Sequence, residues 1–171
     1  MTNENKNLNN ECIAYDEAIG LVKDEVDNIL STSPLIIRKY TKHLTYSRGK
    51  FIRGMSVIMC AENVDGSIHP NAIKIAAAIE ILHLATLVHD DVIDNADIRR
   101  GEDTLQKKYG KRTAVICGDY LLCSALKLTA SIEKPEDYLK LNVTDYMGKV
   151  CLGELNQHIN NKNLNLSVYQ Y

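Results

Sequence analysis

The sequence predicts an all-α protein, and three observations carry that prediction. Each of the three prolines, Pro34, Pro70 and Pro135, stands just ahead of an apolar-periodic segment, where the first turn of a helix tolerates a missing N–H. Apolar residues recur at helical spacing from Ile13 through Ala18, Val22, Val26, Ile29 and Leu30. No run of alternating apolar and polar residues marks a strand.

The elements follow in order. A polar, Asn-rich arm over residues 1–10 is expected to be disordered, with a single helical domain over 11–171. The first helix stops at Ser31-Thr32-Ser33-Pro34, and a shorter one follows the proline. Gly49 opens the next, through Met59, which fades at Asp65-Gly66. Asn71 opens a long central helix, with Asn95 too weak a breaker to end it and residues 99–103 read as a loop. A helix over 112–129 and another from Pro135 to about Ile159 complete the chain. The expected architecture is a helical bundle with short connections and no repeat.

Length and composition bound the function. A chain of 171 residues, 45% hydrophobic and 25% charged, can bury a core as one domain. A net charge of −2 gives no sign of a nucleic-acid-binding or membrane-surface protein. Five scattered cysteines with no CxxC pair point to a reduced, cytoplasmic chain. The apolar stretch 73–88 is interrupted by Lys74, Glu80 and His83, so it reads as a buried core helix and not a membrane span.

The chemistry concentrates where that central helix ends. His83, Leu87, Asp90 and Asp94 share one helical face. Asp90 and Asp94, one turn apart, repel each other unless a cation sits between them. Hard oxygen ligands suit Mg²⁺, which takes one or two carboxylates and completes its shell with water and substrate phosphates. Arg99 and Arg100 are suited to bidentate capture of phosphate oxygens. Together these residues describe a diphosphate site. A second cationic group, Lys50 and Arg53 beside Gly49, could hold another diphosphate, although taken alone it reads more readily as a solvated basic helix start.

These motifs resemble the amino-terminal half of the trans-isoprenyl diphosphate synthases, the polyprenyl synthetase family. Asp90-Asp91-Val92-Ile93-Asp94 matches the first aspartate-rich motif Asp-Asp-x-x-Asp, and Arg99-Arg100-Gly101 the Arg-Arg-Gly that follows it. Arg48-Gly49-Lys50-Phe51-Ile52-Arg53-Gly54 resembles Gly-Gly-Lys-x-x-Arg-Pro, departing at Arg48 and at Gly54, which would loosen the helix locally. Residues 118–121 also resemble a family segment.

The resemblance implies an antiparallel helical bundle of the isoprenoid synthase type, here truncated. It implies Mg²⁺ on Asp90 and Asp94, with Asp91 in support, and an allylic diphosphate bridged to the metal and touched by Arg99. Lys50, Arg53, His83 and Arg100 would hold isopentenyl diphosphate. Small residues at Ala85 and Thr86, with Leu82 a turn further back, imply a medium- or long-chain product. The family's second half carries a second aspartate-rich motif, and no such cluster follows Asp97. A homodimer, or a partner subunit supplying that half, is therefore expected.

Three rivals stand beside this reading. One is a non-catalytic fragment or subunit that binds prenyl diphosphates and needs a partner chain. Another is an HD-type metal phosphohydrolase built on His89-Asp90 with His43 or His69. The third is a di-iron Glu-x-x-His ligand pair at Glu80 and His83.

Overall fold

The computed structural model describes residues 13–45, 49–132 and 143–169. The amino-terminal arm, Arg48 and the helix start at Pro135 lie outside those residues. The chain forms two compact units, Met1–Glu133 and Lys134–Tyr171. Among the described residues there are seven α-helices and one two-stranded hairpin.

In the first unit, α1 (Tyr15–Thr32) buries Ala18, Val22, Val26 and Leu30, each four residues apart and so on one stripe. Asp16 and Glu17 in its first turn face the positive end of the helix dipole. The chain turns at Ser33, held extended by the proline that follows, and enters α2 (Leu35–Leu44). The buried Thr41 hydroxyl donates to the Leu30 carbonyl at 2.7 Å and ties the two helices. Helix α3 spans Ile52–Ala61, so Gly49 and Lys50 precede it instead of opening it.

The centre of the unit is α4 (Pro70–Ile93). Pro70 sits in its first turn, and His69 Nδ1 caps it by accepting from the Asn71 N–H at 3.1 Å. Ala76, Ala77, Ala78 and Ala85 are all buried. Such small side chains let α1, α3 and α6 pack close. Helix α6 (Lys111–Ala130) runs antiparallel to α4. Lys74 Nζ near the start of α4 donates to the Ser131 carbonyl past the end of α6 at 3.0 Å. At the other end, His89 meets Val115 and Asp119. Both helices are long and apolar enough to cross a membrane, yet each buries a face in this bundle.

Asn95 ends α4, contrary to expectation. Asp94 is the C-cap and the next residue takes the left-handed conformation, φ 52°, which asparagine adopts more readily than most residues. The expected loop over 99–103 is also more ordered than the sequence suggests. Strands β1 (Ile98–Arg99) and β2 (Glu102–Asp103) pair antiparallel through Arg100 and Gly101, both at positive φ, 52° and 84°. That is the signature of a two-residue type I′ hairpin. Short α5 (Leu105–Tyr109) follows, capped by the Thr104 side chain.

The second unit contains α7 (Val143–Ile159). An i,i+4 ion pair at 2.9 Å joins Asp145 and Lys149, and Leu152, Leu155 and Ile159 are exposed.

Candidate diphosphate site

The lower half of α4 presents two faces. Ile81, Ala85, Val88 and Asp91 are buried, continuing the core stripe. His83, Leu87 and Asp90 are half-buried and Asp94 is exposed, on the face that the spacing predicts they share. The Asp94 N–H donates to the Asp90 carbonyl at 2.8 Å, so the last turn remains helical and the two carboxylates stay one turn apart. Among the described residues no three His, Cys, Asp or Glu side chains converge on one point. Two hard carboxylate donors at a partly open helix end nevertheless fit a Mg²⁺ ion that draws its remaining ligands from phosphate and water.

Asp91 works differently. It is 6% exposed, and Oδ1 accepts from Arg99 Nε at 2.7 Å. This charge-assisted contact pulls the hairpin against α4. Further bonds fix the hairpin's base. The Thr104 hydroxyl and Gln106 Nε2 both donate to the Ala96 carbonyl at 2.7 Å. His43 Nε2, from α2, donates to the Asp103 carbonyl at 2.7 Å. A small cavity of about 20 Å³ lies beneath, lined in part by His43, Asp91 and Arg99.

The hairpin tip meets the segment ahead of α3. A Cβ on Gly49 would lie 2.9 Å and 3.1 Å from the terminal guanidinium nitrogens of Arg100. The bare glycine backbone leaves room for this approach, which brings the two basic motifs together. Phe51 then takes a left-handed conformation, φ 55°, with its ring buried. That backbone state is costly for an aromatic residue. It holds Lys50 and Arg53, both exposed, on either side of an anchored ring.

His83 records the convergence. Burial lowers its pKa below the ordinary 6.5, and the positive charges of Arg53, Arg100 and Arg99 lower it further. A neutral imidazole therefore sits amid three guanidinium groups drawn from two separate sequence motifs. Such an arrangement is chemically suited to a multiply charged anion.

A family profile described as Polyprenyl synthetase matches residues 34–171. The chain belongs to the polyprenyl synthetase family. This polyprenyl synthetase chain is 32% identical over 154 residues to the heptaprenyl diphosphate synthase component 2 of Bacillus subtilis, covering 90% of itself and 43% of that protein. Its fold superposes on the crystal structure of a heptaprenyl diphosphate synthase from Staphylococcus aureus with a TM-score of 0.81 at 29% identity, covering 92% of this chain and 49% of that one. A polyprenyl synthase from Caulobacter crescentus, solved in complex with calcium and isoprenyl diphosphate, gives a TM-score of 0.74 at 29% identity, over 91% and 47% of the two chains. The chain thus spans about half the length of the relatives it matches, and its fold is the all-α isoprenoid synthase bundle.

The histidines that could have made a phosphohydrolase are employed elsewhere in this chain. His43 anchors the hairpin and His69 caps α4. His89 packs its ring on α6 where a Cβ at Gly118 would come within 2.6 Å of Cδ2. Glu80, half of the suspected di-iron pair, accepts the Gly54 N–H at 2.7 Å. Gly54 permits a close contact between α3 and α4.

Of the residues read as a chain-length pocket, Ala85 is 1% exposed in the packed core, while Leu82 and Thr86 are half-buried. The Thr86 hydroxyl donates to the His83 carbonyl at 2.8 Å. The sequence reading missed the structural parts played by Glu80, Phe51 and His43. Their partners lie 26 residues away, in the backbone itself, and 60 residues away, so nothing local in the sequence signals them.

Proposed function

We propose that this chain is the first-motif half of a trans-prenyltransferase, condensing isopentenyl diphosphate with an allylic diphosphate towards a medium- or long-chain polyprenyl diphosphate. The observation that carries the reading is the meeting of both basic motifs around the neutral His83, on the face that also bears Asp90 and Asp94. The divalent ion and isoprenyl diphosphate named for the Caulobacter structure agree with this ligand set.

Asp90 and Asp94 would hold Mg²⁺ against the allylic diphosphate. When bound, the metal supplies neutralisation of the charge that grows on the leaving diphosphate. Arg99, aimed by Asp91, adds a fixed guanidinium beside that group. Lys50, Arg53, His83 and Arg100 hold isopentenyl diphosphate so that its double bond faces the allylic carbon. The C–O bond breaks with its electron pair leaving on diphosphate, the isopentenyl π pair forms the new C–C bond, and loss of one proton completes the five-carbon extension. A neutral His83 can donate an N–H to phosphate without adding another desolvated charge to the guanidinium cluster.

The second carboxylate wall would come from a second copy of this chain or from a partner subunit. A second reading, a subunit that binds prenyl diphosphates without turnover alone, is favoured by the description of the Bacillus subtilis relative as component 2. A cytoplasmic setting is part of the same proposal.

The test is a Mg²⁺-dependent assay with farnesyl diphosphate and labelled isopentenyl diphosphate. Label in a lengthened prenyl product is the expected result. Binding of both diphosphates without turnover favours the subunit reading, and absence of both binding and turnover refutes the site.

A further inference from the structure

Helix α3 has no side-chain cap of its own. Its N-cap position is Phe51, which has no hydrogen-bonding group and lies in the left-handed region. The first N–H groups of a helix need partners from elsewhere. One is met from a different helix: the N–H of Gly54, third residue of α3, donates to Glu80 Oε1 of α4 at 2.7 Å. A carboxylate at that position also faces the positive end of the α3 dipole.

A side chain at 54 would crowd the contact. A Cβ there would lie 3.2 Å from Glu80 Cγ, 3.4 Å from Glu80 Oε1 and 3.3 Å from Val22 Cγ1. Gly54 is thus wedged between α1 and α4, and the amino end of α3 is pressed onto both. Arg53 is the neighbouring residue in the chain, and His83 lies one turn beyond Glu80 on α4. The same hydrogen bond therefore ties the segment that carries Arg53 to the stretch of α4 that carries His83.

We propose that Glu80 is a positioning residue for the isopentenyl diphosphate subsite: by clamping the amino end of α3 to α4 through the Gly54 N–H, it fixes Arg53 and the strained Lys50-Phe51 turn relative to His83. This rests on the diphosphate reading given above. Glu80 touches no substrate in this account and acts through backbone placement alone. A misplacement of 1 Å in such a clamp can cost a large factor in affinity or rate.

The experiment measures two quantities separately on the whole chain. Calorimetric titration gives affinity for isopentenyl diphosphate, and for farnesyl diphosphate with Mg²⁺. Amide hydrogen exchange reports the Gly54 N–H directly. Glu80→Ala should weaken isopentenyl diphosphate binding by about tenfold and change Mg²⁺-dependent farnesyl diphosphate binding by less than about twofold, while Glu80→Gln, which keeps an acceptor oxygen, stays within about threefold of wild type for both.

The Gly54 amide should exchange slowly in wild type and Glu80→Gln and quickly in Glu80→Ala. Equal losses for both ligands, a glutamine variant no better than alanine, or an unprotected Gly54 amide in wild type would each overturn the clamp. A protected amide in a chain that binds no isopentenyl diphosphate would instead overturn the ligand assignment on which it rests. Should Glu80→Ala fail to fold, the glutamine variant and wild-type exchange still decide the matter.

Discussion

Replacing Asp91 with asparagine is expected to loosen the hairpin over residues 98–103 and to leave the divalent site on Asp90 and Asp94 in place. The Asp91–Arg99 contact is 2.7 Å long, with side-chain exposures of 8% for the aspartate and 32% for the arginine. Removing one member of a fully buried pair costs about 3–5 kcal/mol, and removing one from an exposed pair about 0–1 kcal/mol. With a third of Arg99 reaching water, its guanidinium can rehydrate, so Asp91→Ala should cost about 2 kcal/mol and Asp91→Asn, which keeps an acceptor oxygen, about 1 kcal/mol. With a urea m-value of about 2 kcal/mol/M, the asparagine variant should unfold at about 0.5 M lower urea. Calorimetry on the same samples should show Mg²⁺-dependent farnesyl diphosphate binding weakened by about tenfold at most, since Arg99 is displaced and the carboxylate pair is not. An unchanged urea midpoint together with complete loss of Mg²⁺-dependent binding would refute this division of labour and make Asp91 a metal ligand.

Other perturbations test the same frame. Gly118→Ala puts a methyl group into the His89 ring; overpacking of this kind costs about 1–3 kcal/mol, reduced by the helix preference of alanine over glycine, and a urea midpoint at or above wild type would contradict the packing. Because the folded-state pKa of His83 lies below 6.5, the unfolded chain takes up its proton first, and stability should fall as pH drops from 6.5 towards the folded value. An anionic diphosphate beside His83 should raise that pKa. His83 should therefore take up a proton on binding just below pH 6.5, seen in the dependence of the calorimetric enthalpy on buffer ionisation, and His83→Phe should change that dependence, leaving only the ligand's own ionisation. Ala85→Phe should shorten the prenyl product of the active assembly; a folded variant with unchanged chain length would sink the proposed role of that position.

Much of this was legible in the sequence because it is local. The i, i+4 and i+7 spacing that put His83, Asp90 and Asp94 on one face needed only helix geometry, and the buried stripe of α1 needed only periodicity. Punctuation was less legible. Asn95 as a left-handed stop and Arg100-Gly101 as a type I′ turn depend on backbone states for which arginine gives no signal and asparagine a weak one.

Contacts between distant segments could not be read at all. Gly49 looks like an anion loop in sequence, but in space it is the surface on which the Arg100 guanidinium rests. One residue along a helix is a rotation of about 100°, which takes Asp91 off the face of Asp90 and turns its carboxylate to the hairpin. The sequence already set Asp91 apart from Asp90 and Asp94; its partner, Arg99 of the hairpin, emerges only once the hairpin is placed.

The measurement that bears most directly on the central claim is calorimetric titration of farnesyl diphosphate into the wild-type chain and into Asp90→Asn and Asp94→Asn, each with and without Mg²⁺. Wild-type binding that strengthens on adding Mg²⁺, with that gain lost in both variants while their urea midpoints stay near wild type, is the predicted result. A Mg²⁺-dependent gain retained in full by either variant would contradict the assignment of the acidic end of α4 as the diphosphate site.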